Sequence, residues 1–185
     1  MRKIKEVFDR GEIVRIKQHE TDVTFSIKGR KGELSSGKHN MPGGEVYYAP
    51  IENSINGRIL FNGLRIYEGK EMKNIFLEFK NGRITKAKAD TGSESLILLT
   101  KLDKDSGKIG EFGIGSNYDL DRITNVMLFD EKIGGTIHLA LGNSVCPDGK
   151  NKSNIHFDIL KDLRDQGEIH LDGKLVQKNG KFIFL

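Results

Sequence analysis

The stretch NIFLEFKNGRITKAKAD, Asn74 to Asp90, decides the fold class. It consists of two runs in which apolar and polar residues alternate with a period of two, on either side of Asn81-Gly82. A period of two is what a half-buried strand requires, because successive side chains point to opposite faces of a sheet. Asn-Gly is the favoured two-residue hairpin turn, since both central positions take positive φ. The same device recurs at Asn179-Gly180 within GEIHLDGKLVQKNGKFIFL, and TDVTFSIKG alternates Val23, Phe25 and Ile27 against polar neighbours. The chain is therefore expected to be built mainly from strands and tight turns.

Helical signals are fewer. In GSESLILLTKLDKD, Leu96, Leu99 and Leu102 recur at helical spacing behind Ser93 or Ser95 as candidate N-caps, which predicts a short helix. The first ten residues and NIHFDILKDLRDQGE are further places for helical turns. The expected fold class is α+β: a β-rich single domain over residues 1–185 with few short helices, its conspicuous residues at strand ends and in Gly-rich loops.

Composition narrows the functional classes. With 36% hydrophobic and 30% charged residues and no apolar run of about 18 residues, the sequence predicts a soluble globular protein with no membrane partner. The net charge of +4 arises from 30 basic and 26 acidic residues of interspersed sign. No basic tract or helix face offers itself to a phosphate backbone, so nucleic acid is not an expected partner. MRKIKEVFDRGE lacks the apolar stretch of a secretory signal, and Cys146 stands alone, which together predict a cytoplasmic location. Twenty-two glycines against three prolines point to turns rather than disorder.

Five residues are conspicuous: Glu45 in MPGGEV, Glu111 in GEFGIGSN, His138 in GGTIHLALG, and His156 with Asp158 in SNIHFD. His138 points away from the face carrying Ile137 and Leu139, and His156 and Asp158, two apart in an extended run, share one side. Two imidazoles and three carboxylates, if they converge, form a mixed nitrogen and oxygen donor set suited to Zn²⁺, Co²⁺, Mn²⁺ or similar ions. Such a set can hold a pair of ions about 3.5–4 Å apart, with Glu45 as a candidate bridge. Each residue also has a plainer reading, a structural strand histidine or a solvated turn carboxylate. His39 reads as a turn residue, His19 and His170 as surface, and DEKIGG, Asp130 to Gly135, as a charged strand end or a substrate-facing loop. GEFGIGSN resembles a glycine phosphate loop only loosely, because no convincing helix follows it.

Taken in order, TFSIKGR, HNMPGGEVYYAP, GEFGIGSNYDLDRIT, DEKIGGTIHLALG and NKSNIHFDILKDLR resemble the M29 family of metalloaminopeptidases over nearly the whole chain. The resemblance implies a metal-dependent aminopeptidase acting on peptides through a water activated by two divalent ions, Zn, Co, Mn or Mg. It implies Glu45, Glu111, His138, His156 and Asp158 as their ligands. It also implies the family's C-terminal metal-bearing domain without its N-terminal α/β domain, and a homodimer or a partner domain covering the site. Glu131, by its place in DEKIGG, is a candidate for amine binding or proton transfer. Seven residues after His138 many members carry a tyrosine, where this chain has Val145. An isopropyl group cannot replace a phenol in proton transfer, so Tyr47, Tyr48 or Tyr118 is needed to compensate, and Tyr118 is carried forward as a candidate catalytic residue. The alternative expectation is a non-catalytic metal-binding or interaction domain related to such enzymes.

Overall fold

The structure is a computed structural model describing residues 1–185. From the N-terminus it runs α1 (Arg2–Phe8), β1 (Ile13–Gln18), β2 (Thr21–Ser26), β3 (Glu33–Ser35), β4 (Glu45–Tyr48), β5 (Asn56–Tyr67), β6 (Lys70–Lys80) and β7 (Arg83–Lys88). It continues through α2 (Ser93–Leu99), β8 (Ile109–Gly115), α3 (Met127–Asp130), β9 (Thr136–Gly142), β10 (His156–Asp162), β11 (Glu168–Leu171), β12 (Lys174–Lys178) and β13 (Lys181–Phe182). No helix is long and apolar enough to cross a membrane.

The strands form two antiparallel sheets. One has eight strands in the order β13-β12-β11-β1-β2-β5-β6-β7, and the other five in the order β10-β9-β8-β4-β3. A core of 31 buried residues draws on the alternating apolar positions of both sheets. Val14, Ile16, Val23 and Phe25 come from the large sheet; Phe112, Ile114, Ile137, Leu139, Phe157 and Ile159 come from the small one. Direct inter-sheet contacts are aromatic: Phe25 meets Phe112 edge-on at 5.0 Å between centroids, and Tyr67 lies 4.9 Å from Phe157. Helix α1 closes one end of this sandwich, setting Phe8 against Tyr48, Phe112 and Phe182.

The predicted hairpins are present, with Asn81-Gly82 joining β6 to β7 and Asn179-Gly180 joining β12 to β13 at positive φ. A helix forms at α2, but its N-cap is Gly92 in the left-handed region rather than either serine. Ser93 is the first helical residue and its hydroxyl accepts from the Ala89 amide at 3.2 Å. Leu96 is buried, whereas Leu102 lies beyond the helix and is exposed. Residues 1–10 hold α1 as expected. The helical turns expected in NIHFDILKDLRDQGE are absent: seven of its residues form β10, paired along their whole length with β9. The apolar residues Phe157, Ile159, Leu160 and Leu163 fit either period, and pairing with a preformed neighbour decides between them.

Candidate metal centre

The small sheet is buried on both faces across β8 and β9, and that is what makes its outer face chemically unusual. Since Val46, Phe112, Ile137, Phe157 and Ile159 turn to the core, the alternating positions Glu45, Tyr47, Glu111, His138, His156 and Asp158 share the opposite face. Glu45 and His156 begin their strands, as expected for a site at strand ends, but Glu111, His138 and Asp158 stand within theirs. Gly113 lies opposite His138 in the β8–β9 ladder, and a Cβ there would sit 1.9 Å from the imidazole Cε1. The ring therefore rests on glycine backbone. Gly44, at φ +139°, makes the turn into β4; its amide donates to Ser35 O at 2.8 Å and its carbonyl accepts from Ser116 N at 2.7 Å. That turn fixes where Glu45 starts.

The start of β10 is fixed from a different direction. Asp103 accepts from Asp105 N and Ser106 N on one oxygen, and from Ser153 Oγ and Asn154 N on the other, at 2.7–2.9 Å. The Asn154 amide and the Ser153 hydroxyl, against a small opposing effect of burial, hold its carboxyl down to about 2. A carboxyl depressed in the folded state stabilises fully above its unfolded value of about 3.9, and that contribution is lost as pH falls through the folded value. Asp103→Asn is therefore expected to lower the melting temperature at pH 7, with the gap to wild type narrowing between pH 4 and pH 2.5. Circular dichroism melts at several pH values measure it; a gap that does not depend on pH excludes the charge as its source.

Five side chains converge as the sequence implied. His138 Nε2 lies 2.9 Å from Glu111 Oε1, 3.3 Å from Glu45 Oε1 and 3.8 Å from Asp158 Oδ1, and His156 Nε2 lies 3.2 Å from Asp158 Oδ1. The donor atoms fall into two triads, Glu45–Glu131–His138 and Glu111–His156–Asp158, each with its atoms within 4.8 Å of one another. His156 Nδ1 lies 2.8 Å from Asn143 O, so it carries the proton and donates it there, which turns Nε2 toward the carboxylates. Burial pushes the Glu45 carboxyl up to about 7. Burial by itself would lower His138, but the Glu111 hydrogen bond and the Glu45 and Asp158 charges outweigh it and raise the imidazole to about 10. The same opposition, with Asp158 prevailing, takes His156 to about 9. The cluster attracts positive charge.

The other candidates separate. Glu131 joins the first triad. Tyr118 does not reach the cluster's cavity: its ring covers Gly134 and its hydroxyl donates to Gly180 O at 2.8 Å. As a compensating phenol it is corrected to a structural residue, because that bond ties it to the β12–β13 turn. Tyr48 turns to the core, its hydroxyl placed 3.1 Å from Asp9 Oδ1. Tyr47 is the tyrosine lining the cavity, and burial followed by the Glu111 charge raises its phenol to about 12. Val145 also lines the cavity and is 52% exposed. His39, which reads as a turn residue, is on the cavity wall. The sequence reading missed Lys132, whose side chain is 3% exposed and whose Nζ donates to Glu45 Oε2 at 2.5 Å and contacts Glu131 Oε1. A lysine between a glutamate and an isoleucine in a polar, Gly-rich segment carries no signal of burial.

Residues 2–182 match the family model described as thermophilic metalloprotease (M29). The chain belongs to the M29 family. Among M29-type relatives, aminopeptidase AmpS of Bacillus subtilis is 29% identical, the match covering 89% of this chain and 47% of that protein. Aminopeptidase 2 of Geobacillus stearothermophilus is 27% identical over 77% of this chain and 37% of its own length. The chain thus spans less than half of the curated relatives it matches. Wild-type AmpT from Thermus thermophilus superposes with a TM-score of 0.83 at 20% identity, covering 98% of this chain and 53% of that one. A 2,5-dihydroxypyridine dioxygenase from Pseudomonas putida superposes at 0.77, again at 20% identity, covering 97% and 57%. At that identity both show the fold alone, so the chemistry must be argued from the site.

The M29 family is one of metalloproteases, and the donors here fit a divalent ion. Glu111 Oε2 and Asp158 Oδ1 are buried acceptors that make no hydrogen bond, although the latter is within ion-pair distance of His156. Carboxylate oxygens left in that state are costly unless a cation meets them. Imidazole and carboxylate together suit Zn²⁺, Co²⁺ or Mn²⁺.

Proposed function

We propose that this chain is the metal-bearing part of an aminopeptidase-type hydrolase that removes N-terminal residues from peptides with the aid of two divalent ions. The observation that carries the reading is the pair of donor triads gathered over one sheet face, with Glu131 supplied by the turn after α3, opening into a cavity of about 690 Å³. When bound, such ions supply a water of lowered pKa and a Lewis-acidic hold on the scissile carbonyl. Glu111, His156 and Asp158 are the residues to hold one ion, and Glu45, Glu131 and His138 the other. Glu131 lines the cavity, and when no ion holds it its carboxylate is available to receive the peptide's α-ammonium or to move a proton. The phenol of Tyr47, kept protonated by burial, is available as a proton donor where Val145 offers none.

Chain stripped with a chelator and reloaded with Co²⁺ is expected to release p-nitroaniline from leucine p-nitroanilide, and stripped chain is not. Cobalt retained without hydrolysis would sink the enzymatic reading and favour the non-catalytic metal-binding domain, the reading to which Val145 points. Tyr47→Phe is expected to lower kcat by roughly 100-fold, the scale of a lost general acid, with metal content unchanged. Steady-state kinetics with elemental analysis measure both, and an unaltered kcat removes Tyr47 from the chemistry.

A further inference from the structure

The two triads are not equivalent, and the difference is Lys132. Its backbone is fixed where α3 runs toward β9: the Lys132 amide donates to Phe129 O at 3.1 Å and its carbonyl accepts from Asn117 N at 2.9 Å. From that anchor the side chain enters the cluster and seats its ammonium between Glu45 Oε2 and Glu131 Oε1, two of the three donors of the first triad. Both oxygens of Glu45 are engaged, Oε2 by Lys132 and Oε1 by His138 at 3.3 Å. In the second triad no ammonium intrudes: Glu111 Oε2 makes no hydrogen bond, and Asp158 Oδ1, also without one, has imidazole nitrogens as its ionic neighbours, His156 Nε2 at 3.2 Å and His138 Nε2 at 3.8 Å. The one other buried unpartnered polar atom of the cluster is His138 Nδ1, on the far side of the ring from Nε2, the nitrogen nearest the carboxylates.

An ammonium is a compact charge with three donors, and a divalent ion would use the same carboxylate lone pairs at ~2.0–2.2 Å. Both cannot hold Glu45 Oε2 and Glu131 Oε1 at once. With Lys132 seated, an incoming ion must displace an ammonium to reach the first triad's two carboxylates, whereas the neighbours of Glu111 and Asp158 are the imidazoles of His138 and His156, which can give up a proton to make way for it. Lys132 also lines the cavity, which gives its ammonium a way out.

We propose that Lys132 is a resident cation in the first of the two metal positions, so that Glu111–His156–Asp158 loads first and a second ion enters Glu45–Glu131–His138 only by displacing the Lys132 ammonium. This rests on the metal-dependent reading above and sets the order in which that site fills. A centre loaded in this way is complete only above the concentration at which the second ion outcompetes the lysine.

The test is calorimetric titration of the chelator-stripped full chain with Co²⁺, with elemental analysis of the dialysed product. Wild type is expected to take one ion tightly and a second roughly 100-fold or more weaker, the scale on which breaking a buried ion pair is felt. Lys132→Met, of similar length and uncharged, is expected to take two ions with affinities within about tenfold. Asp158→Asn is expected to lose the tight ion and keep no tight site, because the other position is still held by the lysine. Two equally tight ions in wild type, or one tight ion surviving in Asp158→Asn, would overturn the proposal without touching the metal-dependent reading. Loss of an ion in Lys132→Met would also overturn it, by making the lysine a ligand. Should that variant not fold, wild type and Asp158→Asn decide the matter. Absence of cobalt from wild type would instead sink the metal-dependent reading, and this proposal with it.

Discussion

Alanine in place of His156 is expected to weaken Co²⁺ binding by roughly 100-fold or more, exceeding the 10–100-fold that loss of an orienting partner costs. His156 is the one imidazole of the triad that contains the unbonded buried oxygens Glu111 Oε2 and Asp158 Oδ1. Its Nδ1–H is committed to Asn143 O at 2.8 Å, so the ring is held with Nε2 toward Asp158 and the cavity. Asn or Gln at 156 would keep a polar side chain but not that nitrogen in that place. The fold should tolerate the change: the ring is partly exposed and on the face opposite Phe157 and Ile159, which carry the β10 packing. Metal-free melting should nevertheless fall, because the buried Asp158 carboxylate loses the imidazole that pairs with it at 3.2 Å. Calorimetry with Co²⁺ and melts of the stripped chain separate the two effects. Binding within threefold of wild type would remove His156 from the ligand set.

How far the sequence could be read depended on whether the deciding interaction was local. The hairpins at Asn81-Gly82 and Asn179-Gly180 were legible because their geometry is set by the two residues themselves, which take φ of 50° and 83°, and 49° and 74°. The start of α2 was not, since a glycine at φ 74° supplies the cap and the serines only resemble one. Strand β10 was ambiguous because Phe157, Ile159, Leu160 and Leu163 satisfy two periods, and only its partner β9 distinguishes them. At the site, the shared side of His156 and Asp158 followed from spacing, whereas the meeting of β4, β8, β9 and β10 depends on sheet order. Spacing separates Tyr47 from Tyr48 in the same way: Tyr47 takes Glu45's side and Tyr48 the core side. Lys132 lay beyond reach, because burial of an ammonium depends on two carboxylates, one of them 87 residues away in sequence.

Alanine at Gly113 tests the same sheet face from beneath, and it is expected to weaken the tight ion by about 10–100-fold, the scale of a lost orienting partner, and to remove the weaker one, while costing about 1–3 kcal/mol of stability, the usual range for overpacking a filled interior. Gly113 is extended, so alanine meets no backbone penalty there; its methyl carbon meets the imidazole, 1.9 Å from Cε1 and 2.4 Å from Nε2 of His138. His138 is fully buried, between Gly113 on β8 and Leu160 on β10, so it cannot swing out to solvent without disturbing its neighbours. The ring must therefore tilt away from Glu111 Oε1, now 2.9 Å distant, and the carboxylates lose the group that holds them together. The double variant Gly113→Ala/His138→Ala distinguishes this from a general defect in the sheet. With the ring removed the methyl has room, so the double variant should melt above Gly113→Ala yet bind cobalt no more tightly than it. That non-additivity is the mark of two groups in direct contact. Additive losses, or cobalt affinity unchanged in Gly113→Ala, would show that the close approach of ring and backbone is incidental to the site.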